Sequence, residues 1–252
     1  MLDVTAPVLV GGHGGSGTRV VARLLEQLGV WLPPPLNETW DNMALERGFR
    51  NDALPAAVAE LQMAAAGYDG TCERWGAKVI TNMLFLPELV NLWPNMRYVH
   101  VQRHPLDVVF HPDQQHLPRY YWSRWEGGYA GTVNSAPERL DFWMATNDAA
   151  VHSRIPKTIV RFEELLSDAG KQAHRLAAFC GLVVADEGLD LSWIKTPESV
   201  GRYKEHDLRV FYQKQIDELR KLGYEVEQAA LASGGENTLA TEAAMNAPTG
   251  PD

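Results

Sequence analysis

Five glycines fall within the seven residues Gly11-Gly12-His13-Gly14-Gly15-Ser16-Gly17, and Thr18-Arg19 follow. Glycine loses more conformational freedom on folding than any other residue, so this density asks for a reason beyond chain reversal. The run stands between the apolar stretch Val8-Leu9-Val10 and a segment with apolar residues at helical spacing. In that setting backbone N–H groups and a helix N-terminus can converge on an anion. The spacing Gly12-x4-Gly17 resembles the start of the phosphate loop of nucleotide triphosphatases, but Thr18-Arg19 stand where that motif continues Lys-Ser/Thr. Phosphate binding without ordinary ATP or GTP chemistry is the expectation, with Gly12, His13, Gly14, Gly15, Ser16, Gly17 and Thr18 as the loop. His13 reads as a loop residue beside the ligand and not as a catalyst. A glycine turn that serves packing alone is the alternative.

The elements that must position this loop follow from periodicity. Val8–Val10 reads as a buried strand, and 18–30 as a helix with Val21, Leu24, Leu25 and Leu28 on one side. Pro33-Pro34-Pro35 cannot be helical. Residues 52–66 are helical in propensity, Lys78-Val79-Ile80 is a short strand, 84–93 a helix, and Arg97–Val101 a strand that Pro105 ends. Pro137 fits the first turn of a helix running to about His152. Thr158-Ile159-Val160 is a further strand, Ser167 or Asp168 caps a helix containing Leu176 and Phe179, and 205–222 is helical. Strands alternating with helices imply a mainly parallel sheet covered on both faces, in one α/β domain spanning 1–228. Residues 229–252 are poor in apolar groups and are expected to form a mobile tail. Between 110 and 133, Phe110, Tyr120, Tyr121, Trp122, Trp125 and Tyr129 are interrupted by Gly127, Gly128 and Gly131. This stretch reads as a wall or lid for an acceptor, with packing as the alternative.

Composition narrows the partners. The 252 residues carry 23 Lys+Arg against 32 Asp+Glu, a formal charge of −9, which argues against a nucleic-acid or anionic-membrane binder. No apolar run reaches membrane-spanning length, and Met1-Leu2-Asp3 lacks the basic start of a signal peptide. Cys72 and Cys180 cannot build a disulfide framework. A soluble, cytoplasmic protein is expected. His111-Pro112-Asp113-Gln114-Gln115-His116 is too sparse for a metal site, so no metal is expected.

Four segments together resemble the sulfotransferases that use 3′-phosphoadenosine 5′-phosphosulfate (PAPS). Gly12–Thr18 resembles that family's 5′-phosphosulfate loop, which usually ends Ser-Gly-Thr-Thr. Arg103-His104-Pro105-Leu106-Asp107-Val108-Val109 is similar to its 3′-phosphate motif, Arg-x-Pro-x-Asp-Val. Val160-Arg161-Phe162-Glu163-Glu164-Leu165-Leu166 is similar to its Arg-Tyr-Glu-Asp-Leu segment. Val200-Gly201-Arg202-Tyr203-Lys204, with Leu222-Gly223-Tyr224 beyond, resembles the Gly-Arg-Trp segment of bacterial members. The resemblance runs from about residue 8 to 224. It implies a P-loop-like three-layer fold, PAPS as co-substrate, 3′,5′-ADP as product and a small-molecule acceptor, and leaves homo-oligomerisation open. It further implies Ser16, Gly17 and Thr18 at the phosphosulfate, Arg103 at the 3′ phosphate with Arg202 and Lys204 closing over it, and Phe162 near adenine. An i,i+4 salt bridge to Asp107 is the alternative for Arg103, and Asp107 itself reads as structural.

Three departures stand out. The basic residue common just before Ser-Gly-Thr is here Gly15; Arg19 has two readings, as a compensating cation that reaches back to the phosphates and as a solvated helix charge. The serine expected eight residues after the motif arginine is His111, whose imidazole can still donate to a phosphate. Trp75-Gly76-Ala77-Lys78 resembles a Trp-Gly-x-Lys segment whose lysine, Lys78, would neutralise charge on the leaving oxygen. Yet Ile80 stands where some relatives keep a histidine base. Candidate bases are Glu38 first, then Asp41, in the segment Asn37-Glu38-Thr39-Trp40-Asp41, and His116. Surface carboxylates are the alternative for the first two, and an amine or acidic phenol needs no strong base. A phosphate-loop kinase and a non-catalytic nucleotide-binding protein are the rival functions. The absent Walker lysine counts against the first, while Gly15 and Ile80 leave the second open.

Overall fold

The strand β1 (Val8–Gly12) is buried at every position and forms the centre of the sheet. Around it lie β2 (Val30–Trp31), β3 (Arg74–Lys78), β4 (Arg97–Gln102) and β5 (Lys157–Arg161), in the order β2-β3-β1-β4-β5. Every neighbouring pair is parallel, so each connection must cross over, and helices supply the crossovers. This computed structural model describes residues 1–112, 133–183 and 189–226. The helices are α1 (Thr18–Gln27), α2 (Met43–Arg50), α3 (Leu54–Ala66), α4 (Leu86–Leu92), α5 (Pro105–Val109), α6 (Ala136–His152), α7 (Phe162–Ser167), α8 (Ala169–Cys180) and α9 (Gln213–Lys221).

Strand alternation builds the layers. Val8 and Val10, with Val99, Val101 and Val160, pack on α1 and α8. Leu9, Trp75, Ala77 and Tyr98 face the other way, onto α2, α3 and α4. Each fully buried leucine or valine contributes about 1.5–3 kcal/mol, and these two faces hold most of them. The result is the expected three-layer, P-loop-like α/β fold. A third cluster joins Leu106 and Val109 of α5, Leu140 and Trp143 of α6, and Ile216 and Leu219 of α9. Tyr203, Leu208 and Phe211 belong to it, which presses the chain around Arg202 against the end of β4.

Several boundaries differ from the sequence reading. The third strand is Arg74–Lys78 and not Lys78–Ile80, because Asn82 N–H turns back onto Val79 O at 3.0 Å and residues 80–84 form a 3₁₀ turn. Helix α1 stops at Gln27, and Val30 joins a strand beside Arg74. Helix α2 was not anticipated, although Asn42 caps it by accepting from Leu45 N–H at 2.9 Å. Pro105 begins a helix at the point where it ends the strand. The stretch 205–222 is not one helix: a 3₁₀ turn, Arg202–Glu205, ends where it begins, and a second, Leu208–Val210, precedes α9. The aromatic stretch from Tyr120 to Tyr129 and the tail 229–252 lie outside the described residues.

Candidate active site

The glycine loop joins the carboxyl end of β1 to α1, where open parallel sheets bind ligands. Gly17, with φ of 89°, stands at the N-cap of α1 and offers no capping side chain. The N–H groups of Gly14, Gly15, Gly17, Thr18 and Arg19 donate to no backbone carbonyl among the described residues. Such first-turn groups carry the positive end of the helix dipole. Ser16 is fully buried and its Oγ has no hydrogen-bond partner among the described residues. An unmade hydrogen bond at a buried hydroxyl costs about 1–3 kcal/mol, so the loop is built for an acceptor-bearing ligand.

Arg103, at the end of β4, is 3% exposed. Its Nη1 donates to Gly15 O at 3.1 Å, and its Nη2 reaches Asp107 Oδ2 at 3.0 Å and Ser199 through both its Oγ and its carbonyl. Asp107 accepts in turn from Gly201 N–H at 2.8 Å and Tyr203 N–H at 3.3 Å. The arginine thereby ties the glycine loop to the 199–203 segment. Arg202 sends Nε to the same Ser199 carbonyl at 3.2 Å. Burial holds its pKa below the ordinary arginine value, and the charge of Arg103 adds to that. Nε of Arg103 and Nη1 of Arg202 are both buried without a partner among the described residues. Two close guanidiniums with unused donors have the chemistry to hold an anion.

Lys78, the last residue of β3, is 2% exposed and pairs with Asp41 Oδ1 at 2.8 Å. Its Nζ also donates to Thr39 O at 3.0 Å. Asp41 is held by Ile80 N–H at 3.3 Å and by the Thr39 hydroxyl, while Asn42 N–H reaches Lys78 O at 2.8 Å. Burial lowers the Lys78 pKa, Asp41 opposes that, and the positive charge of Arg19 adds to the lowering. The region from Lys78 to Phe162 lies within residues 50–186, which match the profile of the sulfotransferase family. The chain belongs to the sulfotransferase family.

The glycine loop and Arg202 lie outside the matched region. Solved sulfotransferases share the fold of this chain. The sulfotransferase domain of the Synechococcus PCC 7002 olefin synthase matches with a TM-score of 0.54 and 15% identity over 88% of this chain and 96% of its own. The sulfotransferase domain of the curacin biosynthetic pathway matches at 0.53 and 12%, over 88% and 99%. A sulfotransferase from Alicyclobacillus acidocaldarius matches at 0.51 and 15%, over 89% and 98%. No curated protein matches the sequence.

The structure distributes the remaining candidates of this sulfotransferase unevenly. The His13 ring turns away from the loop, bonds Thr146 Oγ1 at 2.7 Å and stacks on Trp143. The Thr146 hydroxyl lies 2.8 Å from Phe142 O, so it donates there and accepts from His13 Nε2–H. Burial pushes the His13 pKa down to about 3, so the ring is neutral and only its backbone belongs to the loop. Phe162 is 3% exposed, and a Cβ on Gly17 would run into its ring. Arg103 lies 5.5 Å above the same ring. Arg19 and Lys204 are exposed, and Arg19 is near enough to Lys78 to act on its charge. Glu38 is exposed one residue before the carbonyl that holds Lys78. His111 lies against Gly15, and His116 is outside the described residues. Two participants escaped the sequence reading. Ser199 carries no motif signal, and Thr39 shows only as a neighbour of the candidate carboxylates.

Proposed function

We propose that this sulfotransferase moves the sulfuryl group of PAPS to a hydroxyl or amine of a small organic acceptor and releases 3′,5′-ADP. The observation that carries the reading is the set of buried, unpartnered polar atoms Ser16 Oγ, Arg103 Nε and Arg202 Nη1. They lie on segments joined through the Arg103–Gly15 bond, and the two guanidinium nitrogens can only donate. One group sits in the loop and the other in the guanidinium pair, which suits a ligand with two separate anionic ends. Gly12 to Thr18 would hold the phosphosulfate, and Arg103 with Arg202 the 3′ phosphate, with Lys204 at the rim.

Bound PAPS supplies a sulfuryl group whose departure leaves negative charge on a phosphate oxygen. Lys78 is the group to meet that charge, since it is buried, cationic and fixed by two acceptors. Asp41 is committed to Lys78 and Ile80, which leaves exposed Glu38 as the better placed carboxylate to take a proton from a hydroxyl acceptor. The −9 charge of the chain is compatible with this, because on this reading Arg19, Lys78, Arg103, Arg202 and Lys204 would supply a local positive field within an acidic chain.

Calorimetry and turnover test the proposal. Binding of 3′,5′-ADP with no response to ATP plus Mg²⁺, and sulfation of members of a phenol, alcohol and amine panel with PAPS, are expected. Preference for ATP would overturn the donor. Binding of 3′,5′-ADP without turnover on any acceptor would turn the protein into a nucleotide-binding member of its family.

A further inference from the structure

Gly15 has φ of 77°, and a Cβ built on it would lie 2.7 Å from Cδ2 and 3.3 Å from Nε2 of His111. The imidazole occupies the space that a side chain at position 15 would use. Gly15 is gripped from its carbonyl as well, by Nη1 of Arg103 at 3.1 Å. Both contacts come from one stretch of chain, in which His111 N–H bonds Val108 O at 3.1 Å just past α5. The loop offers an anion only its backbone and the hydroxyls of Ser16 and Thr18, since the His13 ring is turned to Thr146.

We infer that His111 serves the glycine loop as its side chain: the imidazole laid over Gly15 is a binding group for the anionic end of the ligand that this loop receives. The inference rests on the PAPS reading and assigns His111 to the phosphosulfate end, whereas its place in the sequence motif suggests the 3′ phosphate. It also gives Gly15 two reasons to be glycine, its positive φ and the ring beside it. Any side chain at position 15 evicts the imidazole. Gly15→Ala and His111→Ala therefore remove the same contact, and their effects must fail to add.

The test is calorimetric titration of the full chain and its variants with 3′,5′-ADP, adenosine 5′-phosphate and adenosine 3′-phosphate, with a thermal melt of each variant. His111→Ala is expected to weaken both 5′-phosphate ligands about tenfold and adenosine 3′-phosphate by less than about twofold. Gly15→Ala should do the same, the double variant should match the weaker single variant, and His111→Asn, which keeps a donor, should recover part of the loss. Additive losses, or unchanged affinities in a folded His111→Ala, overturn the inference while the PAPS reading stands. A loss confined to adenosine 3′-phosphate moves His111 to the other phosphate and overturns it too. A folded wild type that binds none of the three ligands overturns the PAPS reading first and this inference with it.

Discussion

Asp41 Oδ1 lies 2.8 Å from Lys78 Nζ, in a pair whose side chains are 11% and 2% exposed. The two residues come from different segments, one from the loop before α2 and one from the end of β3. Burial of an ammonium is costly, and the carboxylate offsets that cost only while it stays charged and close. On the proposed mechanism Asp41 would act through Lys78, as a positioning residue, and the exposed Glu38 nearby would be left for proton transfer.

Replacing Asp41 by Asn keeps an acceptor for Ile80 N–H but leaves the lysine charge uncompensated. A loss of about 3 kcal/mol of stability is expected, the usual scale for breaking a buried pair. Burial already lowers the Lys78 pKa and Asp41 is what raises it, so the variant must lose the lysine proton at lower pH. The alkaline limb of kcat should move to lower pH in Asp41→Asn. An unmoved limb in a folded variant would take Asp41 out of this role.

Ser16→Ala should separate function from stability. The hydroxyl has no partner among the described residues, so its removal relieves a buried unsatisfied group and should be neutral or stabilising by up to about 1 kcal/mol. Affinity for 3′,5′-ADP should nevertheless fall about tenfold, as for the loss of one hydrogen bond to a charged group. A variant that melts lower and binds normally would mean that the hydroxyl serves the fold alone.

Arg103→Ala is expected to do both kinds of damage. It strips Asp107 of a partner at 3.0 Å in a site where that carboxylate is 1% exposed, and it unties Gly15 from Ser199. Destabilisation of about 3 kcal/mol should show in urea unfolding. Binding of 3′,5′-ADP should fall at least about tenfold more than that of adenosine 5′-phosphate if, as proposed, the guanidinium binds the 3′ phosphate. Equal losses for the two ligands would place Arg103 at the other end of the donor. The i,i+4 bridge to Asp107, read from spacing as the alternative to phosphate binding, is present, and the unpartnered Nε shows that it does not exhaust the guanidinium.

Much of this architecture is legible because it is local. Val8–Val10 followed by glycines and a 3.6-residue apolar period specifies strand, loop and helix without help from the rest of the chain. The misread parts depend on distant neighbours. Arg74–Lys78 contains no β-branched residue, and it is a strand because Gly76 lies so close to Val8 O that no side chain would fit. The two residues of β2 pair with a segment more than forty positions away, which periodicity cannot register. Within the site, Lys78 and Arg103 were visible as residue types in motifs. Ser199, by contrast, holds both arginines through a carbonyl that any residue possesses and adds its hydroxyl to Arg103 alone, at 3.2 Å, so no motif announces it.

The last prediction concerns acid. Burial pushes His13 down to about 3 and His100 down to about 4, the latter while its Nε2 bonds Asn147 Oδ1 at 2.8 Å. His104 is lowered as well, again by burial. Each imidazole is neutral in the folded chain and ordinary, with a pKa near 6.5, in the unfolded one. Between those values the unfolded state binds more protons, so acid favours unfolding. The contribution of His13 and His100 is complete above about pH 6.5 and shrinks by about 1.4 kcal/mol per pH unit for each from there down to its folded pKa, while His104 adds in the same direction. By pH 5, His13 and His100 should each have removed about 2 kcal/mol. The lowered carboxylates Asp3, Asp190 and Asp207 enter only below this window, because their unfolded pKa is about 3.8. Urea unfolding at pH 7 and pH 5 measures the loss. His100→Gln, which can keep the bond to Asn147, should forfeit its own share of the pH dependence; a wild type equally stable at both pH values would show that these rings are not neutral in the fold.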